Sequence, residues 1–254
     1  MNYTVCLVII NDPGGRPVGA ESSSVIANRF RCRHIREFDI IPAGHRSLGE
    51  GGLQKRAEHI LQELVADSQL ALGKNSSTER DTLLFFGHGL GGLLVQQIVL
   101  LAATSSRYQI VSQSIDLLVF IGTPHRTNST SLPSQSIFHI LASSRIKGIN
   151  PVNLLSAIQS ELPSLEDEFP IMLRNRLSIV NFIERSTTDD GPGVIPNEYC
   201  STMGVPREEN IRLACSYSEL WTTVVTNEMA VDTIIKKLEQ ASNGQASGTI
   251  SLNY

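Results

Sequence analysis

The sequence predicts an α/β fold, a mostly parallel sheet with helices on both faces. Three observations carry that expectation. Short β-rich runs alternate along the chain with helical patterns, as strand–helix–strand crossovers produce. The stretch DTLLFFGHGLGGLLVQQIVLLAA, from Asp81 to Ala103, joins two apolar runs through a burst of glycines, as a strand, a sharp turn and a helix would. A length of 254 residues is enough to bury one large core of this kind.

Taken in order, YTVCLVII (Tyr3 to Ile10) reads as the first strand and breaks into the turn residues of NDPGGRP. SSSVIANRF follows as a short helix with a serine available as its cap, and EFDIIPAG as the second strand. GGLQKRAEHILQELVADSQLAL places Leu53, Ala57, Ile60, Leu61, Leu64 and Val65 on one helical face. Strand DTLLFF, the glycine turn and helix LLVQQIVLLAAT come next, then strand SIDLLVFIG and the loop TPHRTNS. From about Leu132 to Arg176 the pattern is helical and loop-like, where an α/β fold often carries a lid. Its apolar residues Ile137, Phe138, Ile140, Leu141, Leu154, Leu155 and Ile158 suit either core or a pocket lining. RLSIVNFIE (Arg176 to Glu184) is a strand, GPGVIP holds a short one, and SELWTTVVTNEMAVDTIIKKLEQA closes the fold as helix. Residues 1–241 thus read as one domain with a helical lid insert over 132–176, and 242–254 as a flexible tail.

Composition narrows the function classes. Apolar residues make up 41% and charged residues 18%, ordinary for a soluble globular protein. The formal net charge of −4 argues against a nucleic-acid partner, which would need a basic face. The basic cluster RFRCRHIR (Arg29 to Arg36) reads as a solvated helix end rather than a phosphate patch. Cys6, Cys32, Cys200 and Cys215 are scattered without metal or disulfide spacing, so reduced thiols, a cytoplasmic location and no metal site are expected. MNYTVCLVII lacks a basic leader and reads as a buried strand. GLLVQQIVLLAA is interrupted by Gln96 and Gln97, so no membrane span is expected. No P-loop pattern occurs, no cofactor is implied, and nothing sets an oligomeric state.

The glycine turn admits two readings. Gly87, Gly89 and Gly92 satisfy G-x-G-x-x-G, a dinucleotide fingerprint. That fingerprint wants an acid at the end of the next strand, yet that strand ends in Gly122, Thr123 and Pro124, and Asp116 lies at its beginning. The other reading is the nucleophile elbow G-x-S-x-G of serine hydrolases, whose strained centre and small neighbours match Gly87, Gly91 and Gly92. Here the central residue is Gly89, which tolerates positive φ and carries no nucleophile.

FFGHGLGGLLVQQ followed by LLVFIGTPHRTNS resembles the lipase-like α/β-hydrolase domains related to GPI-inositol deacylases, which also stand at the N-terminus of fungal NLR-type immune receptors. Their elbow reads G-H-S-L-G-G, followed by F-L-G-T-P-H-R-G-S. In weaker form the likeness runs from Val5 to about Trp221, with VIINDPGG in place of the family's V-H-G-L-G-G loop, FDIIPAG in place of Y-G-Y-D-A, and VIPNEYCSTMGVPREENIRLACSYSELW in place of its last conserved run. The resemblance implies an α/β-hydrolase fold and, position by position, a nucleophile at Gly89, a catalytic histidine at Tyr217 and an acid at Glu184, with Asp189 or Asp190 as substitutes. Two of the three members are thus replaced; a phenol with a pKa near 10 is a poor base beside an imidazole near 6.5. The oxyanion hole the family implies is backbone: the Leu90 N–H and one from the loop near Gly14 or Gly15. At the head of a helix, such a notch favours a carbonyl, a carboxylate or water.

Other residues read as structural. His88 and His125 border the site but suit packing or hydrogen-bonding roles, His139 suits the surface, Trp221 anchors the last helix, and Cys215 suits burial better than service as a replacement thiol. The expectation is a catalytically degenerate lipase- or esterase-like domain, a pseudoenzyme that binds a small apolar molecule or a protein partner, in signalling or immunity. A non-hydrolytic enzyme (a cyclase, lyase or isomerase) reusing the pocket and its backbone donors is the alternative, and a weak serine-independent hydrolase a third reading.

Overall fold

The computed structural model describes residues 2–13, 23–42, 45, 47–49, 51–67, 70, 72, 79–126, 137, 140–141, 150–173, 177–185 and 198–245. Within them lie six strands: β1 (Asn2–Asn11), β2 (Cys32–Asp39), β3 (Glu79–His88), β4 (Ile115–Ile121), β5 (Ser178–Glu184) and β6 (Glu208–Leu213). All pair in parallel, in the order β2-β1-β3-β4-β5-β6. The chain steps outward from β1 to β2, then crosses back over β1 to lay down β3. The C-terminal ends of β1 and β3 therefore flank the point where the winding reverses, which in open α/β sheets is where ligands and catalytic groups gather.

The central strands form because nearly every residue can be buried on one face or the other. Cys6, Val8 and Ile10 of β1 pack on one side with helices α2 (Gly52–Ala66) and α3 (Gly91–Thr104). Val5, Leu7 and Ile9 pack on the other with α1 (Ser23–Arg29) and the two closing helices. Strand β4, IDLLVFI, is buried along its whole length; its one charged residue, Asp116, accepts the Thr82 hydroxyl at 3.0 Å. A six-residue helix, α4 (Gln109–Ser114), leads directly into it.

The structure differs from the sequence reading at the sheet edges. The basic cluster is a helix end only at Arg29, which closes α1; Cys32 to Arg36 run as edge strand β2, which begins earlier than EFDIIPAG. Charged side chains on an edge strand keep its open hydrogen-bonding row from templating another chain. The opposite edge, β6, EENIRL, has no apolar run to announce it. The closing helix is two helices, α8 (Tyr217–Thr226) and α9 (Glu228–Gln245), because Asn227 leaves helical geometry, donates its N–H to Thr223 and caps Ala230 N with its side chain at 3.0 Å. Helix α9 also continues through Gln245, past the expected end at Ala241. Val65, assigned to the buried face of α2, is 46% exposed. The short strand expected in GPGVIP, Phe138 and His139 lie outside the described residues.

The described part of the insert is helical, with Ile137, Ile140 and Leu141 followed by α5 (Pro151–Gln159) and α6 (Leu162–Met172). Leu154, Ile158, Leu165 and Phe169 are buried in the same cluster as α2 and α3, so these side chains are core. A four-residue helix, α7 (Glu198–Ser201), precedes β6. Glu161, at the α5–α6 junction, fastens the insert to the domain: its carboxylate accepts the free N–H groups of Leu53 at 2.8 Å and Gln54 at 2.9 Å, capping α2 from a distant segment. Glu161→Ala is expected to cost roughly 1 kcal/mol, a fall in Tm of about 2–4 °C for a chain this size. Hydrogen exchange should speed up at the Leu53 and Gln54 amides, and Glu161→Gln should retain much of the protection.

Candidate functional site

The turn between β3 and α3 is built around close approach. A Cβ on Gly87 would lie 2.5 Å from the Gly92 Cα, so strand and helix touch backbone to backbone. Gly89 sits between them at φ +52, the left-handed geometry that an elbow centre needs and that glycine adopts without penalty. Its N–H donates to Ile121 O at 2.8 Å, and its carbonyl accepts the Gly92 N–H at 3.1 Å. The backbone is thus that of a nucleophile elbow with no side chain at its apex.

Two other residues fill that apex. A Cβ built on Gly89 would fall well inside van der Waals contact of the Tyr217 hydroxyl and of both carboxylate oxygens of Asp12. Tyr217 donates to Asp12 Oδ2 at 2.5 Å, and the Leu90 N–H donates to Asp12 Oδ1 at 2.6 Å, with the Gly91 N–H also directed at the carboxylate. Asp12 follows β1, Leu90 and Gly91 open α3, and Tyr217 opens α8, where a reciprocal Ser216–Glu219 capping box fixes the start of the helix. The Tyr217 ring passes over Gly122, whose Cβ would meet Cε2 at 2.7 Å, and stacks on His88 with centroids 5.6 Å apart. One turn later, Trp221 meets His88 edge-on at 5.7 Å and Phe86 at 6.2 Å.

Burial sets the protonation states. Asp12, His88 and Tyr217 are all buried. Desolvation pushes the Asp12 carboxyl above its usual range, against the opposing pull of His88, the Tyr217 hydroxyl and the two backbone N–H groups. Burial, and then the Asp12 charge, raise the Tyr217 phenol well above its ordinary value, so it stays a proton donor and cannot serve as a base. Burial lowers the His88 pKa, leaving a neutral imidazole. Its Nδ1 lies 3.8 Å from Asp12 Oδ2, beyond hydrogen-bond reach, and neither ring nitrogen has a hydrogen-bond partner among the described residues.

The sequence reading placed Gly89, Leu90, His88 and Tyr217 at this site, and the fold brings all four together. It missed Asp12, which sits in a run of turn formers and reaches Leu90 only through the crossover of chain order. Gly14, Gly15, Asp189 and Asp190 lie outside the described residues. Glu184 ends β5, half-buried, and its charge is the last of the influences that raise the Tyr217 pKa. His125 belongs to a different buried cluster: Nδ1 accepts the Gln96 amide at 2.7 Å, and Nε2 donates to Asn181 Oδ1 at 3.1 Å. Burial pushes the Cys215 thiol up, the wrong direction for a nucleophile. Among the described residues, no group of three or more His, Cys, Asp or Glu could hold a metal ion, and no helix is long and apolar enough to cross a membrane. Among the described residues, a carboxylate, a phenol and an imidazole thus gather around the head of α3 beside Gly89.

No protein-family model and no curated protein matches the sequence. Solved structures do match. Monoacylglycerol lipase of Paleococcus ferrophilus is 12% identical, with a TM-score of 0.52 over 93% of this chain and 94% of its own. The peroxisomal α/β-hydrolase of Saccharomyces cerevisiae is 13% identical, with a TM-score of 0.53 over 98% of this chain and 82% of its own. A lipase-esterase related protein of Clostridium acetobutylicum is 10% identical, with a TM-score of 0.54 over 92% and 93%. The chain has the α/β-hydrolase fold.

The bonding of His125 carries a pH consequence. Burial, first, and then the Arg126 charge depress its pKa from 6.5 to about 3, against the Asn181 hydrogen bond. The stability it contributes is therefore complete above about pH 6.5 and is lost as pH falls toward about 3, because the unfolded chain takes up the proton first. Thermal unfolding between pH 7 and pH 4 should show a steep loss in the parent. His125→Gln, less stable at pH 7, should give a shallower slope.

Proposed function

We propose that this chain is a catalytically degenerate lipase- or esterase-like hydrolase domain, a pseudoenzyme allied to the GPI-inositol-deacylase-like domains its motifs resemble. Its work is binding an apolar ligand or a protein partner, in the cytoplasm, in a signalling or immune setting. One observation supports this above the others: the volume a nucleophile's Cβ would occupy at Gly89 already holds the Tyr217 hydroxyl and the Asp12 carboxylate. Acyl transfer needs a nucleophile, a base and an oxyanion hole. The first is absent, the residue in the base's place is a phenol held protonated, and the Leu90 N–H already serves Asp12. Loss of the nucleophile or the base alone costs about a millionfold in a well-studied protease, so neither gap is a matter of degree. The non-hydrolytic alternative drew on free backbone donors, and the engagement of Leu90 counts against it.

Short- and long-chain acyl esters, assayed beside fluorophosphonate labelling, test this reading. The parent should show neither turnover nor labelling above buffer. Gly89→Ser should also be silent, and should be less stable by about 1–2 kcal/mol for the left-handed backbone alone, and by more once the clash is counted. Gly89→Ser with Tyr217→His should gain activity only when Asp12 is also reduced to glycine. Parent turnover that disappears on Asp12→Asn would overturn the proposal.

A further inference from the structure

Strand β2 is an edge, and among the described residues its ladder runs to β1 alone. The open row of N–H and C=O groups on such an edge is a template for another strand, and charge along it turns unmatched strands away. On β2 that charge is sorted by sign. Arg31 and Arg33 stand at its N-terminal end, Glu37 and Asp39 at its C-terminal end, and Ile35 lies midway. Arg31, Arg33 and Glu37 are exposed, and no ion pair holds Arg31 or Arg33 among the described residues. The backbone sets the basic end apart as well. Arg31 keeps a left-handed φ of +54, a conformation that costs any residue but glycine. Val5 pairs with Cys32 and Cys6 with His34, so Arg33 is an extra residue with no counterpart on β1. A bulge of this kind re-aims its side chain, here a guanidinium, away from the regular ladder.

We propose that β2 pairs with β2 of a second copy of this chain, antiparallel about a two-fold axis at Ile35, joining two six-stranded sheets edge to edge. A strand sorted by sign and run against itself sets its basic end beside its acidic end. Residues directly opposite share a face of the sheet, so the axis must pass through a residue rather than between two. With the axis at Ile35, Arg33 comes opposite Glu37 of the second copy, and Glu37 opposite Arg33 of the second copy. Glu37 also interacts within its own chain, and a carboxylate has acceptor sites for both. Ile35 meets Ile35, and His34 comes opposite an Arg36 already engaged by Asp67. Moving the axis to Arg36 or to Glu37 sets that charge against itself, and moving it to His34 leaves Arg33 opposite Ile35. Main-chain bonds supply the affinity whatever the register, and the matched charges choose register and partner. The contact is isologous, so it closes at two copies and leaves β6 outermost at both ends. It asks nothing of the Gly89 site.

Charge reversal, read by sedimentation equilibrium of the full chain, tests this. The parent should be dimeric at roughly 10–100 μM, the range of a small contact led by main-chain bonds. Arg33→Glu and Glu37→Arg should each raise the dimer dissociation constant roughly 10- to 100-fold, since each sets two like-charged pairs across the axis. Mixed in equal amounts, the two variants should form a heterodimer close to the parent in affinity, because one chain then offers two carboxylates and the other two guanidinium groups. Both substitutions in one chain should restore the homodimer. Mixing rescues a lost charge match but not a lost fold; a variant that did not fold would be replaced by Arg33→Gln or Glu37→Gln, each expected to weaken the dimer by a smaller factor. A parent that stays monomeric at these concentrations would overturn the proposal. So would β2 amides protected from exchange in a monomer, which would mean that another segment of the chain covers the edge. Single variants that dimerise as the parent does would place the contact elsewhere and overturn it, as would a mixture no tighter than its components.

Discussion

The Asp12 carboxylate, seated on the head of α3, is the constraint from which the rest of the site follows. A charged or polar group taken out of water must find partners inside the fold. Here they come from segments far apart in sequence: the turn after β3 and the first residue of α8. That one group thus ties together the point where the sheet reverses its winding. It also dictates its neighbours. Tyr217 must remain a phenol to donate, Gly122 must leave room for its ring, and Gly89 must leave room for its hydroxyl.

How far the fold was legible depended on burial. Strands β1, β3 and β4 announce themselves because each holds an unbroken buried apolar run, Val5 to Ile10, Leu83 to Phe86 and Leu117 to Ile121. The edge strands β2 and β6 do not, because an edge bears charge against unmatched strands, and Arg33, Arg36, Glu208 and Arg212 look like surface in a sequence. The break at Asn227 was hidden because the apolar spacing continues across it, and Val65 was misassigned because a helical face is narrower at its end than its periodicity implies. At the site, Gly89 and Tyr217 were found through motif resemblance, and they lie side by side. Asp12 gave no signal, since an acid between Asn11 and Pro13 is what any turn looks like. Only the three-dimensional crossover makes it a partner of Leu90.

Two buried histidines show how bonding, rather than burial, separates structural from site-like roles. His125 is satisfied on both nitrogens, by Gln96 of α3 and Asn181 of β5, and Asn181 passes the network on to Glu208 and Asn210 of β6. Glu208 in turn accepts the backbone N–H groups of Met203 and Val205, so a continuous polar seam stitches the C-terminal half of the sheet together. A half-satisfied network of this kind would be worse than an apolar core, so its completeness reads as architecture. His88, equally buried, has no hydrogen-bonded partner among the described residues and leans on aromatic rings instead.

The crowding at Gly89 has an evolutionary side. A side chain cannot enter that position by one substitution, because the space it would need belongs to groups from two other segments that stabilise one another. A single substitution at 12, 89 or 217 gives up a buried bond or forces a collision. The site therefore works as a lock on its own backbone: drift among descendants of this sequence is free to reshape the surface, while the packed interior keeps position 89 bare.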